Sequence, residues 1–176
     1  MNIEHYFTQL VDFVRDNQGW AAPVMFVLAF AESLAFVSLL IPAWAVLVAI
    51  GAMIGPSGIS FWPVWIAGAV GAALGDWLSY WIGHRFKYSV RYVWPLSRHP
   101  HLIPRGEAFI ARWGAMGIFI GRFFGPLRAA VPLVAGIFAM PFWKFQLANF
   151  SSAFVWAAVL LLLGDVTSKI IGWIWH

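Results

Sequence analysis

Phe119-Ile-Gly-Arg-Phe-Phe-Gly-Pro-Leu-Arg-Ala-Ala-Val-Pro-Leu-Val-Ala-Gly136 is the stretch on which the reading of the fold turns. Two arginines, Arg122 and Arg128, lie in an apolar run that has no acidic residue. At bilayer depth each such charge costs about 2.5–3.5 kcal/mol on insertion scales, so a chain that keeps two has a use for them. Gly125-Pro126 lies between the arginines and Pro132 follows. Proline removes a backbone donor and crowds the preceding turn, which predicts a broken helix here. On an unbroken helix, residues six apart are rotated by about 600° and share no face. A break lets both guanidinium groups turn toward one point. Broken backbone at membrane depth is tolerated only when buried in protein or lining a wet cavity. The expectation is an anion-binding, re-entrant segment in a small membrane transporter.

Working outward, the whole chain has the composition of an integral membrane protein. Its 176 residues are 62% hydrophobic and 10% charged, against roughly 25% charge in soluble domains. The mean hydropathy is +0.79. That length is read as one transmembrane domain over residues 1–176 with a handful of membrane-crossing segments. The absence of cysteine leaves no disulfide or thiol chemistry. The net charge of +4 is gathered in one loop and within the membrane, so nucleic acid is not expected as a partner. The tryptophans fit headgroup-level anchoring, and no cofactor is expected. The acidic start, Met1-Asn-Ile-Glu-His-Tyr, does not resemble a cleavable signal peptide.

In order along the chain, residues 3–18 are expected to form an amphipathic helix with Ile3, Phe7, Leu10, Val11 and Val14 on one face. Residues 20–54 are apolar with a single charge, Glu32, and contain Pro42. A helical hairpin that dips in and returns fits this length; two tilted spans are the alternative. Gly55-Pro-Ser-Gly58 reads as a turn. Residues 62–83 read as a span rich in small residues, with Asp76 late in it. The small-residue face over 67–75 suits a homodimer contact or packing within the monomer. Residues 84–112 read as a basic cytoplasmic loop, holding Arg85, Lys87, Arg91, Arg98, Arg105 and Arg112. His84, His99 and His101 there do not make a metal set. Residues 145–164 read as a further span ending at Gly164-Asp165, and the tail from Lys169 to His176 as interfacial.

The two halves echo each other. Glu32 precedes Pro42 as Arg122 precedes Pro132. Gly51-Ala-Met53 answers Phe138-Ala-Met140, Phe61-Trp62 answers Phe142-Trp143, and Gly75-Asp76 answers Gly164-Asp165. The fold expected is all-α and integral to the membrane. It has two inverted repeats, about 20–83 and about 113–165, each with a re-entrant helical hairpin and a transmembrane helix. The N-terminal amphipathic helix precedes them. Secondary transporters use this plan, with the site at the midplane.

Three motifs resemble one family. Gly121-Arg-Phe-x-Gly-Pro-x-Arg128-x-x-Val-Pro-x-x-Ala-Gly136 is similar to the arginine signature of the DedA proteins, also called SNARE-associated or VTT-domain proteins. Gly71-Ala-x-x-Gly-Asp76-x-x-x-Tyr80-x-x-Gly83 and the pair Glu32 and Pro42 extend the resemblance from about Phe26 to Gly164. It implies facing re-entrant hairpins in the bacterial cytoplasmic (inner) membrane, in a multi-pass chain. It also implies translocation of a phosphate-headed lipid such as undecaprenyl phosphate or a phospholipid, with proton coupling in some members. Carried over by position, Glu32, Arg122 and Arg128 match the family's charged residues. Family members often place a second acidic residue two positions after the first-hairpin proline, where this chain has Trp44.

The candidate site is therefore Arg122 and Arg128 for the lipid phosphate, since a guanidinium fork matches phosphate oxygens. Glu32 and Asp76 are candidates for proton coupling or for charge partners of the arginines. The function expected is a flippase for an anionic lipid, and the chain is not expected to be an enzyme. A phospholipid scramblase or a proton-coupled small-solute transporter is the alternative. A bilayer-shaping scaffold would leave the arginines unexplained. Gly55-Pro-Ser57-Gly58 superficially resembles a rhomboid serine motif, but no histidine falls inside an apolar span, and Ile59 replaces the histidine that a lipid-phosphatase motif needs.

Overall fold

The computed structural model describes residues 9, 12–34, 44–54, 59–87, 89 and 102–174. Among the described residues the main α-helices are α1 (Ala21–Ser33), α2 (Trp44–Met53), α3 (Phe61–Phe86), α4 (Leu102–Gly121), α5 (Gly125–Ile137) and α6 (Phe142–Ile174). There is no strand among the described residues. Pro23, Pro63, Pro104 and Pro126 each stand in the first turn of a helix, where a missing N–H leaves no bond unmade. Ahead of α1, residues 12–16 are helical. Val14 is buried there while Asp12, Arg15 and Asp16 are exposed; Ile3, Phe7, Leu10 and Val11 of the expected apolar face lie outside the described residues.

Backbone-to-backbone approaches at glycine set the packing. A Cβ on Gly71 would strike the Phe26 carbonyl, one on Gly75 the Phe30 carbonyl, and one on Gly68 the Met25 side chain. Rising numbers on α1 meet rising numbers on α3, so these helices run parallel. The small-residue face over 67–75 is thus used inside the monomer. Gly83 lies against the Leu133 carbonyl and Gly136 against the Tyr80 carbonyl, which makes α3 and α5 antiparallel. Gly51 against Leu161 and Gly164 against Val48 make α2 and α6 antiparallel in the same way. Between the long helices, Trp65 Nε1 donates to Phe154 O at 2.8 Å and Asn149 Nδ2 to Ala73 O at 2.9 Å, so α3 and α6 are antiparallel too.

Several expectations are corrected. Residues 102–112 are not loop but the first half of α4, because Phe109 and Ile110 give it an apolar face that packs while Arg105, Glu107 and Arg112 stay exposed. The helix turns at Gly114, whose φ of 51° and ψ of −128° suit only a residue without Cβ. The arginine stretch breaks once, at Arg122–Phe124, and Gly125-Pro126 opens α5. Pro132 is accommodated inside α5 and leaves only the Arg128 carbonyl without its intrahelical donor. Gly164-Asp165 does not end a span: α6 runs on to Ile174, and Asp165 pairs with Lys169 at 2.6 Å one turn later. The expected turn at 55–58, Pro42, and positions 88 and 90–101 of the basic stretch lie outside the described residues.

One described helix, over Phe142–Ile170, is long and apolar enough by composition to cross a membrane. At 1.5 Å per residue, α3 has the length as well, about 39 Å, but its glycines, serines and Asp76 lower its hydropathy. The distribution of polarity is the reverse of a soluble protein's. Trp143 is 75% exposed, and Trp62, Leu147, Leu163 and Trp173 also face outward, whereas Glu32, Asp76, Arg122 and Arg128 are all buried.

Candidate functional site

The geometry of the helices brings two chain breaks to one level. The α1 chain ends at Ser33, where Leu34 turns to extended backbone. Because α1 runs parallel to α3, that end lies beside Gly75, against which the Ser33 Cβ is packed. The break before α5 arrives at the same level from the other direction, because α5 runs antiparallel to α3. Asp76 stands between them, 4% exposed.

Each arginine meets a carboxylate. Arg128 Nη1 donates to Glu32 Oε1 at 2.5 Å and Nη2 donates to Ser33 Oγ at 3.1 Å. Its guanidinium carbon lies 4.4 Å from the centre of the Trp156 ring, in cation–π contact. Arg122 Nη2 donates to Asp76 Oδ2 and to Asn149 Oδ1, both at 2.5 Å, and Nε donates to Ser152 Oγ at 2.9 Å. All four charged side chains that the sequence singled out are therefore in one buried cluster. They do not converge on one point. They form two ion pairs, Arg122–Asp76 and Arg128–Glu32, because α1 and α3 each supply a carboxylate of their own.

Two buried atoms among the described residues have no hydrogen-bond partner: Arg122 Nη1 and Glu32 Oε2. Each is a donor or acceptor with spare capacity in a region otherwise satisfied. Next to the Arg122 break is an apolar cavity of about 220 Å³, lined by Phe109, Trp113, Gly117, Ile120, Gly121 and Phe124. The turn at Gly114 folds Phe109 and Trp113 back over Gly117, whose missing side chain leaves room for them.

Sequence reasoning missed Asn149, Ser152 and Trp156. All three lie on α6, at spacings of three and four, so one helical face presents them. That spacing, with a neutral amide in a hydrophobic helix, was the available signal. It also missed Ser79, whose hydroxyl donates to Gly75 O at 3.1 Å and to Ser33 O at 3.4 Å, tying the end of α1 to α3. Trp44, where relatives of the resembled family often carry an acid, is exposed at the start of α2 and is not in the cluster.

Known proteins of similar sequence are membrane proteins. A family model described as VTT domain matches residues 41–166. The inner membrane protein YabI of Escherichia coli is 34% identical over 162 residues, covering 92% of this chain and 61% of YabI. A membrane protein of Buchnera aphidicola from Acyrthosiphon pisum is 34% identical over 158 residues, covering 90% of the chain and 62% of that protein. The inner membrane protein YqjA of Escherichia coli is 28% identical over 148 residues, covering 83% and 67%. The chain thus spans about three fifths of the length of the first of these relatives. No solved structure gives a significant match.

Proposed function

The chain belongs to the VTT-domain (DedA) family of inner-membrane proteins, and from that premise we propose that it carries a phosphate-headed lipid across the membrane. The observation that bears most weight is Arg122: a guanidinium buried in an apolar exterior, with one nitrogen left without a partner. A buried donor without an acceptor is costly, by about 1–3 kcal/mol or more for a charged group, and a ligand oxygen would remove that penalty. Phosphate oxygens suit it because a guanidinium offers paired N–H groups in a plane. The adjoining apolar cavity of about 220 Å³ offers room for the start of a hydrocarbon chain.

The arrangement of helices supports alternating access between two inverted repeats. Helices α3 and α6 are antiparallel, and the short arm of each half packs on the long helix of the other through a pair of glycines. The described arms α1 and α5, 13 residues each, are shorter than the roughly 20 residues that a crossing helix needs, as re-entrant hairpins would be. An incoming phosphate would bind at the unpartnered Nη1 of Arg122 and add a negative charge to the cluster. Uptake of a proton by Glu32 or Asp76 would keep the cluster neutral, which is the form that proton coupling takes in this reading.

The test is reconstitution into proteoliposomes with labelled undecaprenyl phosphate or phosphatidic acid in one leaflet. Arg122→Gln is expected to slow transfer by at least about tenfold, the loss of one charge-assisted contact, while remaining monodisperse in detergent. Transfer of zwitterionic and anionic lipids alike, unaffected by Arg122→Gln, would point to a scramblase. Transfer of no lipid by the wild type would overturn the proposal.

A further inference from the structure

Arginine has five N–H groups on three nitrogens, and the two buried arginines spend them differently. Arg128 has both terminal nitrogens engaged, Nη1 by Glu32 and Nη2 by Ser33, with the Trp156 ring near its guanidinium. Arg122 is held on one side only. Its Nε is taken by Ser152 Oγ, and its Nη2 by Asp76 Oδ2, Asn149 Oδ1 and, at 3.3 Å, the Asn149 carbonyl. Its Nη1 is buried and has no partner.

Asn149 is what fixes this asymmetry. It is fully buried, and its own amide nitrogen donates to Ala73 O at 2.9 Å and to Gln146 Oε1 at 3.2 Å. Those two acceptors, one on α3 and one a turn earlier on α6, determine which way the amide points. The oxygen is therefore the end that faces Arg122; a reversed amide would set N–H against N–H there and oxygen against oxygen at Ala73. Ser152 is oriented similarly: its hydroxyl donates to Asn149 O at 3.0 Å, which leaves its lone pairs for Arg122 Nε.

We infer that Asn149 and Ser152 are positioning residues that hold Nε and Nη2 of Arg122 and so reserve Nη1 for an anionic oxygen of the substrate. The two arginines then have separate work. Arg122 receives the headgroup, and Arg128 ties the two chain breaks together through Glu32 and Ser33. Neutral acceptors suit this duty, since they orient a guanidinium without cancelling its charge, as a second carboxylate would. The inference rests on the lipid-phosphate reading above.

The experiment measures binding of phosphatidic acid to the full chain in phosphatidylcholine nanodiscs, with thermal unfolding followed in parallel. Asn149→Asp puts a second carboxylate on Arg122, and affinity is expected to fall by about tenfold or more, on the scale of hydrogen bonds to charged groups. Adding Asp76→Asn returns the count to one carboxylate, and the double variant is expected to regain most of the affinity. A residue that merely packs would show no such rescue. Ser152→Ala, a smaller change, is expected to weaken binding several-fold while unfolding near the wild-type temperature. Binding unchanged in Asn149→Asp and Ser152→Ala, in a protein whose binding is lost in Arg122→Gln, would overturn the inference. Binding that is the same in wild type and Arg122→Gln would overturn the lipid-phosphate reading instead.

Discussion

Arg128 is a residue whose removal strands another. It engages Glu32, Ser33 and Trp156, and Glu32 has only one of its two oxygens bonded. Arg128→Ala leaves a buried carboxylate without a counter-charge, and such a loss costs about 3–5 kcal/mol. Unfolding in detergent, followed by circular dichroism, is expected to show a destabilisation of that size. Adding Glu32→Gln removes the stranded charge and is expected to restore most of the stability; a double variant as unstable as Arg128→Ala would mean that the pairing is not what holds α1 to α5. The four charges of this cluster were legible in the sequence because an ionised group in an apolar run is too costly to keep without a role. Their partners were not. Arg122 meets Asp76 and Arg128 meets Glu32 across long stretches of chain, and nothing in the local pattern distinguishes that pairing from its exchange. Asn149 and Ser152 stayed hidden for a different reason: a neutral amide or hydroxyl in a helix can satisfy itself on its own backbone, as Ser151 does on Leu147 O at 2.7 Å.

The elements are joined where glycines let backbones touch, and this is where a single methyl group matters. A Cβ on Gly136 would overlap the Tyr80 carbonyl, an atom that cannot swing aside. Gly136→Ala is expected to destabilise the protein by about 1–3 kcal/mol through overpacking, outweighing a gain of up to about 1 kcal/mol in helix propensity. Gly19, with nothing within 4 Å of its Cβ position, supplies the contrast: Gly19→Ala is expected to be neutral or slightly stabilising. Equal thermal shifts for the two would contradict the close approach of α3 and α5. Gly114→Ala tests a different property, since its Cβ would meet nothing but its φ is 51°. A loss of about 1–2 kcal/mol is expected from backbone strain alone, with the fold-back of Phe109 over Gly117 weakened. Part of the expected echo between the halves has a counterpart at this scale. Phe61-Trp62 and Phe142-Trp143 do begin the two long helices, and the same spacing relates Gly83 to Gly164, the residues that receive the short arms. The match of Gly75-Asp76 to Gly164-Asp165 was misleading, because Asp165 sits on the flank of α6 beside Lys169 while Asp76 is in the buried cluster. The helical start of α4 was masked by its own arginines, which mark a helix face and a loop equally well.

For the molecule as a whole, composition already announced the membrane, and the outward-facing tryptophans and leucines are the structural form of that statement. What composition could not give is orientation. The hydrogen bonds from Trp65 to Phe154 and from Asn149 to Ala73 make α3 and α6 antiparallel, and under the proposed plan of two inverted halves their starts would belong to opposite faces of the bilayer. The absence of cysteine makes this directly measurable, since any thiol introduced is the sole thiol. Ser60, just before α3, and Trp143, at the start of α6, are both exposed. In sealed vesicles of uniform orientation, Ser60→Cys and Trp143→Cys are expected to react with a membrane-impermeant maleimide from opposite sides. A reagent added outside should label one variant, and the other only after the vesicles are opened. Labelling of both from the same side would be incompatible with two inverted halves, and it would remove the geometric basis for a site offered to each leaflet in turn. Opposite labelling would fit the proposed transport, in which the Arg122 and Arg128 cluster passes a headgroup from one face to the other without its charge entering hydrocarbon.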